Sequence, residues 1–544
     1  MRKAKTAALL LVLAGLSVRP AAGASVPSFS LAAPDRPSLA FSLAPGPGGQ
    51  EAPAPPPASA AVMPRKIKRA YLELGVVAVY STIRYWADYH RWIEDWQYEL
   101  TCEDQYRRFL TTEAIRFDSN NFVTNWTHVI AGALYYQMAR TNYLSWRESL
   151  LAAFVSSLVY EYVSEWREVI SVNDMFMTTF GAISVGEAWF QLSDHLHHRK
   201  SLIPRALAFM NPVNEINQWL DRKNPASKVH AAPGWHGFAL SAGWRHSAET
   251  GRPSFDAGWI GLETEIVRTP EYGRPGTLRK VLRDISLSEL SIDVALAKRR
   301  PEDDHLIGGH SEEVDFYART VPMAWYRQNV DELGRGYALS IGLGSAFSYV
   351  RKRPAVYDAT NVQVRIDPLP ERPTDFRDKM SVTHLVGPVV DWTRFGRKLK
   401  VRVVADAYAD FALMNAYAFN AYSAVHALEG MKTTLAYFGY HYAIGASASG
   451  RIDLDWGNFW VRGLASAHVY DSWEGLDRFE SELTNDVGAV DTRTRFLLKA
   501  GWRPPSVPLR AFAAFEGIRR WGRIGDVRAV GNETRTFAGL SYLF

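Results

Sequence analysis

The chain has 544 residues, with 62 Lys and Arg against 57 Asp and Glu and a formal net charge of +5, too even a balance for a dedicated nucleic-acid binder. Its one cysteine, Cys102, excludes an intramolecular disulfide framework and a cysteine zinc cluster. A mean hydropathy of −0.17 excludes a bundle of many transmembrane helices, but not a β-barrel, in which half of each strand faces water.

Residues 1–24 read as a secretory signal peptide. Arg2, Lys3 and Lys5 form a positive start, Ala7 to Leu16 a short apolar run, and Ala22-Gly23-Ala24 a small-residue cleavage site. The run falls well short of the ~18 residues a spanning helix needs, and no Cys follows to carry a lipid. Residues 25–66 read as a disordered tether. From Ser25 to Pro64, 28 of 40 residues are Pro, Ala, Ser or Gly, too little apolar surface to offset the entropy of ordering.

From 67 to 224 the pattern is helical. Tyr71, Leu74, Val77, Val79, Tyr80 and Ile83 recur at near-helical spacing. Further helices are expected over Trp126–Met138, from Ser145 to Trp166, from Ser171 to about His195, and over Pro212–Leu220. Ser171 followed by Asp174 resembles a capping box with Asp in place of Glu or Gln. Polar residues interrupt these apolar stretches: His128, Glu161, Glu165, Asp174 and Glu187. Asp174, Thr178 and Gly181 share one helical face. A His, two Glu and an Asp among apolar helices have the chemistry of an acid/base or ligand site. The same residues also fit a structural role, with Asp174 favoured by the helix dipole and His128 with Glu161 a satisfied buried pair. His195, His197 and His198 have metal-ligand chemistry, but equally suit a positive last turn. No metal and no cofactor is expected.

Several short runs in this region occur in a recognisable order. They are Phe117-Asp118-Ser119-Asn120, Asn125-Trp126-Thr127-His128, Tyr135-Tyr136, Trp146-Arg147-Glu148-Ser149, Tyr160-Glu161-Tyr162, Ser171-Val172-Asn173-Asp174, Thr178-Thr179-Phe180-Gly181, Gly186-Glu187 and Asn211-Pro212. Together they resemble the bacterial family called domain of unknown function 3943, and more distantly the VanZ-like helical proteins. The resemblance implies an envelope protein. It marks His128, Glu161, Asn173, Asp174 and Glu187 as the family-like polar positions, without assigning them an activity.

From 225 to 544 the period becomes two. In 399–412, Arg402, Asp406 and Asp410 oppose Val401, Val403 and Ala405. In 493–503, Arg495 and Lys499 oppose Phe496, Leu498 and Trp502. In 509–520, Arg510, Glu516 and Arg520 oppose Leu509, Ala511, Ala513 and Phe515. A charged inner row is disfavoured in a soluble core and expected where that face lines a wet lumen. Leu540, Tyr542 and the final Phe544 resemble the assembly signal of outer-membrane barrels. Twelve segments alternate this way, near 236–247, 255–268, 286–299, 316–326, 337–350, 381–393, 399–412, 433–448, 459–471, 492–503, 508–520 and 534–544. Short and long connections also alternate. The exceptions are a long 269–285 connection on the short-turn side and Pro322 inside a strand. Trp244, Trp259, Trp325, Trp392, Trp456, Trp460, Trp502 and Trp521 fall near strand ends, as an interfacial girdle requires.

The expected fold is therefore α+β and multidomain: an N-terminal α-helical domain followed by a C-terminal antiparallel transmembrane β-barrel of about 12 strands. The expected setting is the outer membrane of a Gram-negative bacterium, with the helical domain periplasmic or plugging the lumen. Outer-membrane lipids and the barrel-assembly machinery are the expected partners, and nucleic acid is not. The favoured role is non-enzymatic, in envelope transport, assembly or organisation. The alternatives are an enzyme acting on lipid or cell wall, and a receptor or adhesin working through long outer loops. For an enzyme, His384, His441 and His468 are available in the barrel, but no local Ser/His motif selects among them.

Overall fold

The computed structural model describes residues 64–88, 97–118, 122–197, 205, 207–221, 235–252, 254–269, 271–298, 310–352, 379–505 and 507–543. The signal peptide, all but the last residues of the tether, His198 and Phe544 lie outside the described residues.

Twelve antiparallel strands close into a barrel. After two two-residue strands in the helical region, β1 (Ile115–Arg116) and β2 (Ile170–Ser171), these are β3 (Trp235–Glu249), β4 (Phe255–Val267), β5 (Thr277–Lys298), β6 (His310–Val330), β7 (Gly336–Lys352), β8 (Lys379–Phe395), β9 (Leu399–Asn415), β10 (Tyr440–Trp456), β11 (Phe459–Ser472), β12 (Ala489–Trp502), β13 (Leu509–Ile524) and β14 (Val527–Leu543). Each pairs with its sequence neighbour, and β14 closes on β3. One rim, the turn end, carries short connections such as 396–398 and 457–458. The other, the loop end, carries 416–439 and 473–488. All twelve expected strands are present. The long 269–285 connection shrinks because β5 begins at Thr277. Pro322 is accommodated where the β6–β7 register shifts between Thr320 and Met323, since a bulge leaves one residue unpaired and needs no N–H there.

Alternation sorts the two faces. Arg402, Asp406, Asp410, Lys499, Glu516, Arg520 and Arg535 are buried inside. Ile260, Leu296, Phe496, Leu498, Phe515, Val530 and Leu540 are exposed outside. Trp244, Trp392, Trp456 and Trp502 stand on this outer face as expected. Trp259 and Trp460 do not: both are buried on the lumen face, where Lys499 Nζ lies 5.8 Å from each ring. They share strand parity with Glu263 and Arg462, so the pleat turns them inward.

Four helical rods form a bundle. These are α1 (Ile67–Asp88), α3 (Phe122–Arg140), α4 (Trp146–Val159, extended by a π turn Tyr160–Ser164), and the run α5 (Val172–Gly181), π turn Ala182–Gly186 and α6 (Glu187–His197). Helix α2 (Cys102–Leu110) and helix α7 (Pro212–Asp221) close its two ends. Ser145 and Glu148 form a reciprocal capping box on α4, fixing its start. Ser171 caps α5 through the Asp174 N–H at 3.3 Å, but the Asp174 side chain turns to other partners and the box is not reciprocal. Gly132 lets α3 and α5 touch: a Cβ there would lie 1.9 Å from the Thr178 carbonyl oxygen, and one at Gly181 2.8 Å from Val129. The shared face of Asp174, Thr178 and Gly181 is thus the α3-facing stripe of α5.

The bundle does not plug the lumen. It packs on the outer wall of the barrel. Phe347, Phe411, Leu413, Tyr349 and Tyr442 point outward, yet are buried beneath Phe117, Val129, Ala133, Met177 and Val185 of the helical region. Trp126 stacks on Phe347 at 5.5 Å, and Phe176 on Phe411 at 4.9 Å. Towards the turn end, Leu192 and Leu196 cover Phe238 and Ile266. The 26-residue run from Val172 to His197, about 39 Å at 1.5 Å per residue, follows the wall from loop end to turn end. The lumen cannot take helices because its own long charged side chains fill it.

Candidate functional site

The structure gathers the sequence-predicted polar residues into two buried clusters within the bundle. The first lies at the loop end, where the bundle meets the barrel. His128 Nε2 is 3.3 Å from Asp174 Oδ1. Asn173 Nδ2 donates to Asp174 Oδ1 at 3.0 Å and to Asn125 Oδ1 at 3.3 Å. Asn125 Nδ2 donates to the Tyr442 hydroxyl at 3.3 Å. A hydrogen-bond chain thus runs from Asp174, which His128 approaches, through Asn173 and Asn125 to the barrel wall. Asn173 Oδ1 accepts from the Asp118 N–H at 2.8 Å and from Ser171 Oγ at 2.9 Å, so the amide is fully used. Glu161 joins through Oε2, which accepts the Ser171 N–H at 3.0 Å. Tyr442 donates to the Asp118 carbonyl at 3.0 Å, and Arg478, from the 473–488 loop, pairs with Asp118 at 2.5 Å.

Next to this cluster the π turn of α4 leaves carbonyls without helical partners, and the buried Arg108 takes them. Its guanidinium donates to the carbonyls of Glu168 at 2.8 Å, Glu161 at 2.6 Å, Glu165 at 2.9 Å and Tyr162 at 3.2 Å. Glu165 therefore contributes backbone to the site. Its carboxyl, just beyond the helix, is held well above the usual carboxylate range, by burial first and then by Glu161 and Glu168. Among the described residues no group of three His, Cys, Asp or Glu gathers as a metal would require.

The second cluster takes Glu187 away from the others. Its carboxylate accepts from Tyr136 Oη at 2.6 Å and Arg140 Nε at 2.9 Å. Gln137 binds the Gly186 carbonyl at 2.6 Å and receives Asn211 Nδ2 at 2.8 Å. Thr178 joins neither cluster and serves the α3–α5 contact. His195 stacks on Phe238 of β3 at 5.1 Å and packs at a tilt against His236, and His197 Nδ1 meets Glu215 at 2.7 Å. Sequence reasoning missed Arg108, Asn125, Tyr442 and Arg478. Asn125 sits one helical turn from His128, a signal that was present. The barrel residues lie more than 300 positions away and gave none.

The lumen is crossed by ion pairs. Arg402 grips Asp391 at 2.6 Å and Glu265 at 2.5 Å. Arg451 of β10 reaches Glu289 of β5 at 2.9 Å, Lys352 of β7 reaches Glu533 of β14 at 2.6 Å, and Arg535 of β14 reaches Asp315 of β6 at 3.0 Å. Asp406 pairs with Arg319, and Arg495 with Glu516. Lys499 pairs with Glu263 at 2.6 Å, and Arg520 with Asp491 at 3.1 Å. Arg510 lies 4.0 Å over the Trp460 ring. Arg402, Asp406, Asp410, Arg495, Lys499, Arg510, Glu516 and Arg520 stand on the lumen-facing positions of their strands. Mixed signs that neutralise one another across the barrel leave no field favouring one ion.

No curated protein matches the chain. Among solved structures, a loop-deletion mutant of OmpT, an outer membrane protein of Vibrio cholerae, is 6% identical over 57% of this chain and 99% of its own, with a TM-score of 0.19. A Pseudomonas aeruginosa FadL homologue is 11% identical over 56% and 90%, TM-score 0.21. The Pseudomonas putida toluene transporter TodX is 8% identical over 59% and 92%, TM-score 0.20. These values leave function to be read from this chain's own residues. Residues 114–213 match the family described as domain of unknown function DUF3943, so the chain joins a helical region similar to that family to a closed twelve-strand antiparallel barrel.

Proposed function

We propose that this is an outer-membrane protein that works laterally, at the junction of barrel and bundle, in the handling or organisation of envelope lipid. The observation that carries this reading is the placement of the bundle on the lipid-facing wall. The bundle's own outer surface is apolar too: Tyr71, Leu72, Val79 and Ile83 of α1 and Leu151, Phe154, Val155 and Val159 of α4 are exposed. Its interior is polar, with buried Gln137, Asn142, Glu161, Asn173, Asp174 and Glu187. Apolar outside and hydrogen-bonded inside is what a lipid surround favours. No helix among the described residues is long and apolar enough to cross a membrane. The barrel supplies the anchor, and the bundle lies beside it.

In this reading the turn end faces the periplasm, because α1 and β3 both begin there, and Lys66 and Arg69 at the start of α1 pair with Asp221. The bundle then sits at membrane depth, and not in the periplasm. The final strand, with Leu540 and Tyr542, engages the assembly machinery. His128 at the loop end, part-exposed and backed by the buried Asp174, is the group assigned to meet a polar headgroup.

The experiment is a polarity-sensitive fluorophore on Val155→Cys, in a Cys102→Ser background, with the protein reconstituted in vesicles. Blue-shifted emission is expected. Emission like that of the free dye in water overturns the reading. Planar-bilayer recordings of the same protein are expected to show no steady open conductance, and a large stable one contradicts the filled lumen.

A further inference from the structure

Three neighbouring strands bring a serine, a histidine and an aspartate together inside the barrel. Ser348 Oγ of β7 is 2.9 Å from His384 Nε2 of β8. His384 Nδ1 is 2.7 Å from Asp410 Oδ1 of β9. The second Asp410 oxygen accepts from Tyr470 Oη at 3.0 Å, which fixes the carboxylate. With Nδ1–H given to a carboxylate, Nε2 is left as the acceptor facing the serine. The Asp410 carboxylate has His384 as its ion-pair partner, while the neighbouring Asp406 and Asp391 are taken by Arg319 and Arg402. The trio is therefore separate from the ion-pair network that fills the lumen. Ser348 is only half-buried. On the loop-end side lies an apolar layer of Val350, Met380, Val382, Ala412, Met414 and Ala443.

The strand ladder beside the trio is irregular, although the two backbones stay in contact there, a Cβ at Gly387 falling 1.7 Å from the Ala407 carbonyl oxygen. The β8–β9 ladder runs to His384–Asp410, shifts register before Val386–Ala409, and resumes only at Val389–Asp406. Gly387 and Pro388 make no ladder pair with Tyr408 and Ala407, and Pro388 has no N–H to give. Outside this seam the wall is hollowed into a groove of about 510 Å³, lined by Val386, Pro388, Ala407, Ala409, Ala446 and Ala448 among others. Ser447 also lines the groove, and its hydroxyl is 3.0 Å from His384 Nδ1. The groove and the trio are thus separated by one strand-thickness, at the point where the strand pairing is irregular.

We propose that Ser348, His384 and Asp410 form a nucleophilic acyl-transfer site for a lipid acyl ester that enters from the bilayer through the β8–β9 seam. Ser348 Oγ bonds to the ester carbonyl carbon while its proton passes to His384 Nε2. Collapse of the adduct breaks the ester C–O bond, and the proton goes to the departing alcohol. Water, deprotonated by the same nitrogen, then cleaves the acyl-serine, releases the carboxylic acid and restores Ser348. Ser348 and His384 are the catalytic residues, and Asp410 is a positioning residue. The proposal goes beyond the lateral reading and stands if the bundle proves to lie elsewhere.

The test is covalent labelling of the purified full chain in detergent by an alkyl fluorophosphonate, with the adduct located by mass spectrometry. Labelling at Ser348 is expected. Ser348→Ala should abolish it, and His384→Gln should slow it at least 100-fold, with both variants keeping the heat-modifiable gel mobility of a folded barrel. Asp410→Asn should slow labelling at least 10-fold and shift its pH profile, and Asp410→Glu should restore part of the rate. Ala407→Trp, which fills the groove, should slow a hexadecyl probe at least 10-fold and spare an ethyl probe. No labelling of the wild type, or labelling that survives Ser348→Ala, overturns the site. Equal labelling of Ala407→Trp by the hexadecyl probe overturns the lateral entry.

Discussion

Adding one methyl group at Gly132 should destabilise the bundle, whereas the same change at Gly75 should not. At Gly132 a Cβ would fall 1.9 Å from the Thr178 carbonyl oxygen and 2.9 Å from the Thr178 Cα. An ordinary contact needs about 3.4 Å, so α3 and α5 must part by roughly 1.5 Å in a site packed at interior density. Separation also loosens Val129 against Gly181 and Tyr136 against Gly186, and lengthens the 3.3 Å His128–Asp174 pair. Overpacking costs about 1–3 kcal/mol, and a clash with backbone that cannot rotate away lies at the upper end, so the gain of about 1 kcal/mol in helix propensity leaves a net loss of about 2 kcal/mol. At Gly75 of α1 nothing lies within 4 Å of the added carbon, so Gly75→Ala keeps the propensity gain and should stabilise by up to about 1 kcal/mol. Thermal unfolding of the full chain in detergent, followed by far-ultraviolet circular dichroism, reads both. A Gly132→Ala protein as stable as wild type, or a Gly75→Ala protein equally damaged, would refute the close crossing.

Three further outcomes follow from the same contacts. Arg535 neutralises Glu533, Asp315 and Glu516, so Arg535→Ala takes this partner from Asp315 and leaves Glu533 and Glu516 to Lys352 and Arg495. The barrel should lose about 3–5 kcal/mol, seen as a lower urea midpoint of the heat-modifiable band, and an unchanged midpoint would contradict a closed ionic lumen. Asn173→Ala removes a side chain with four hydrogen bonds, and should make the bundle more open to limited proteolysis while the barrel fragment stays resistant. Glu73, near the start of α1, is pushed up to about 7, chiefly by burial. The folded state then holds a proton that the unfolded state has released, so stability is fully present below about pH 4.5 and declines up to about pH 7, by at most about 3 kcal/mol. Glu73→Gln should flatten that decline, and an unaltered pH profile would show that Glu73 is not its source.

The barrel was legible because a period of two is written directly into residues such as Arg402, Asp406 and Asp410, and because turns and loops alternate. The lumen charges fell where that parity put them. Trp259 and Trp460 were misplaced although parity with Glu263 and Arg462 gives their direction: proximity to a strand end outweighed it. The docking surface was illegible for a physical reason. Phe347, Phe411 and Tyr442 are outward apolar residues whether lipid or a helix covers them, so one pattern serves both. Within the bundle, His128, Asn173 and Asp174 were found and do meet, but Glu187 belongs to another cluster, and Tyr442 was beyond any local signal. The Ser348, His384 and Asp410 trio is assembled from three strands by register alone, 36 and 26 residues apart, so no local motif betrays it.

The central claim, that the helical bundle lies against the outer wall of the barrel, is tested most directly by a cysteine pair across that junction. Thr383 Oγ1 of β8 lies 3.1 Å from Met177 Sδ of α5. In a Cys102→Ser background, Met177→Cys with Thr383→Cys should be joined in native membranes by a short bifunctional thiol reagent, since the contact is made by the far end of the Met177 side chain, and found as a linked peptide by mass spectrometry. Ser241→Cys with Ser541→Cys, whose hydroxyls are 2.8 Å apart across the closing strands, should link in parallel and report a closed barrel. Linkage of the closing pair without linkage of 177 to 383 would contradict the account.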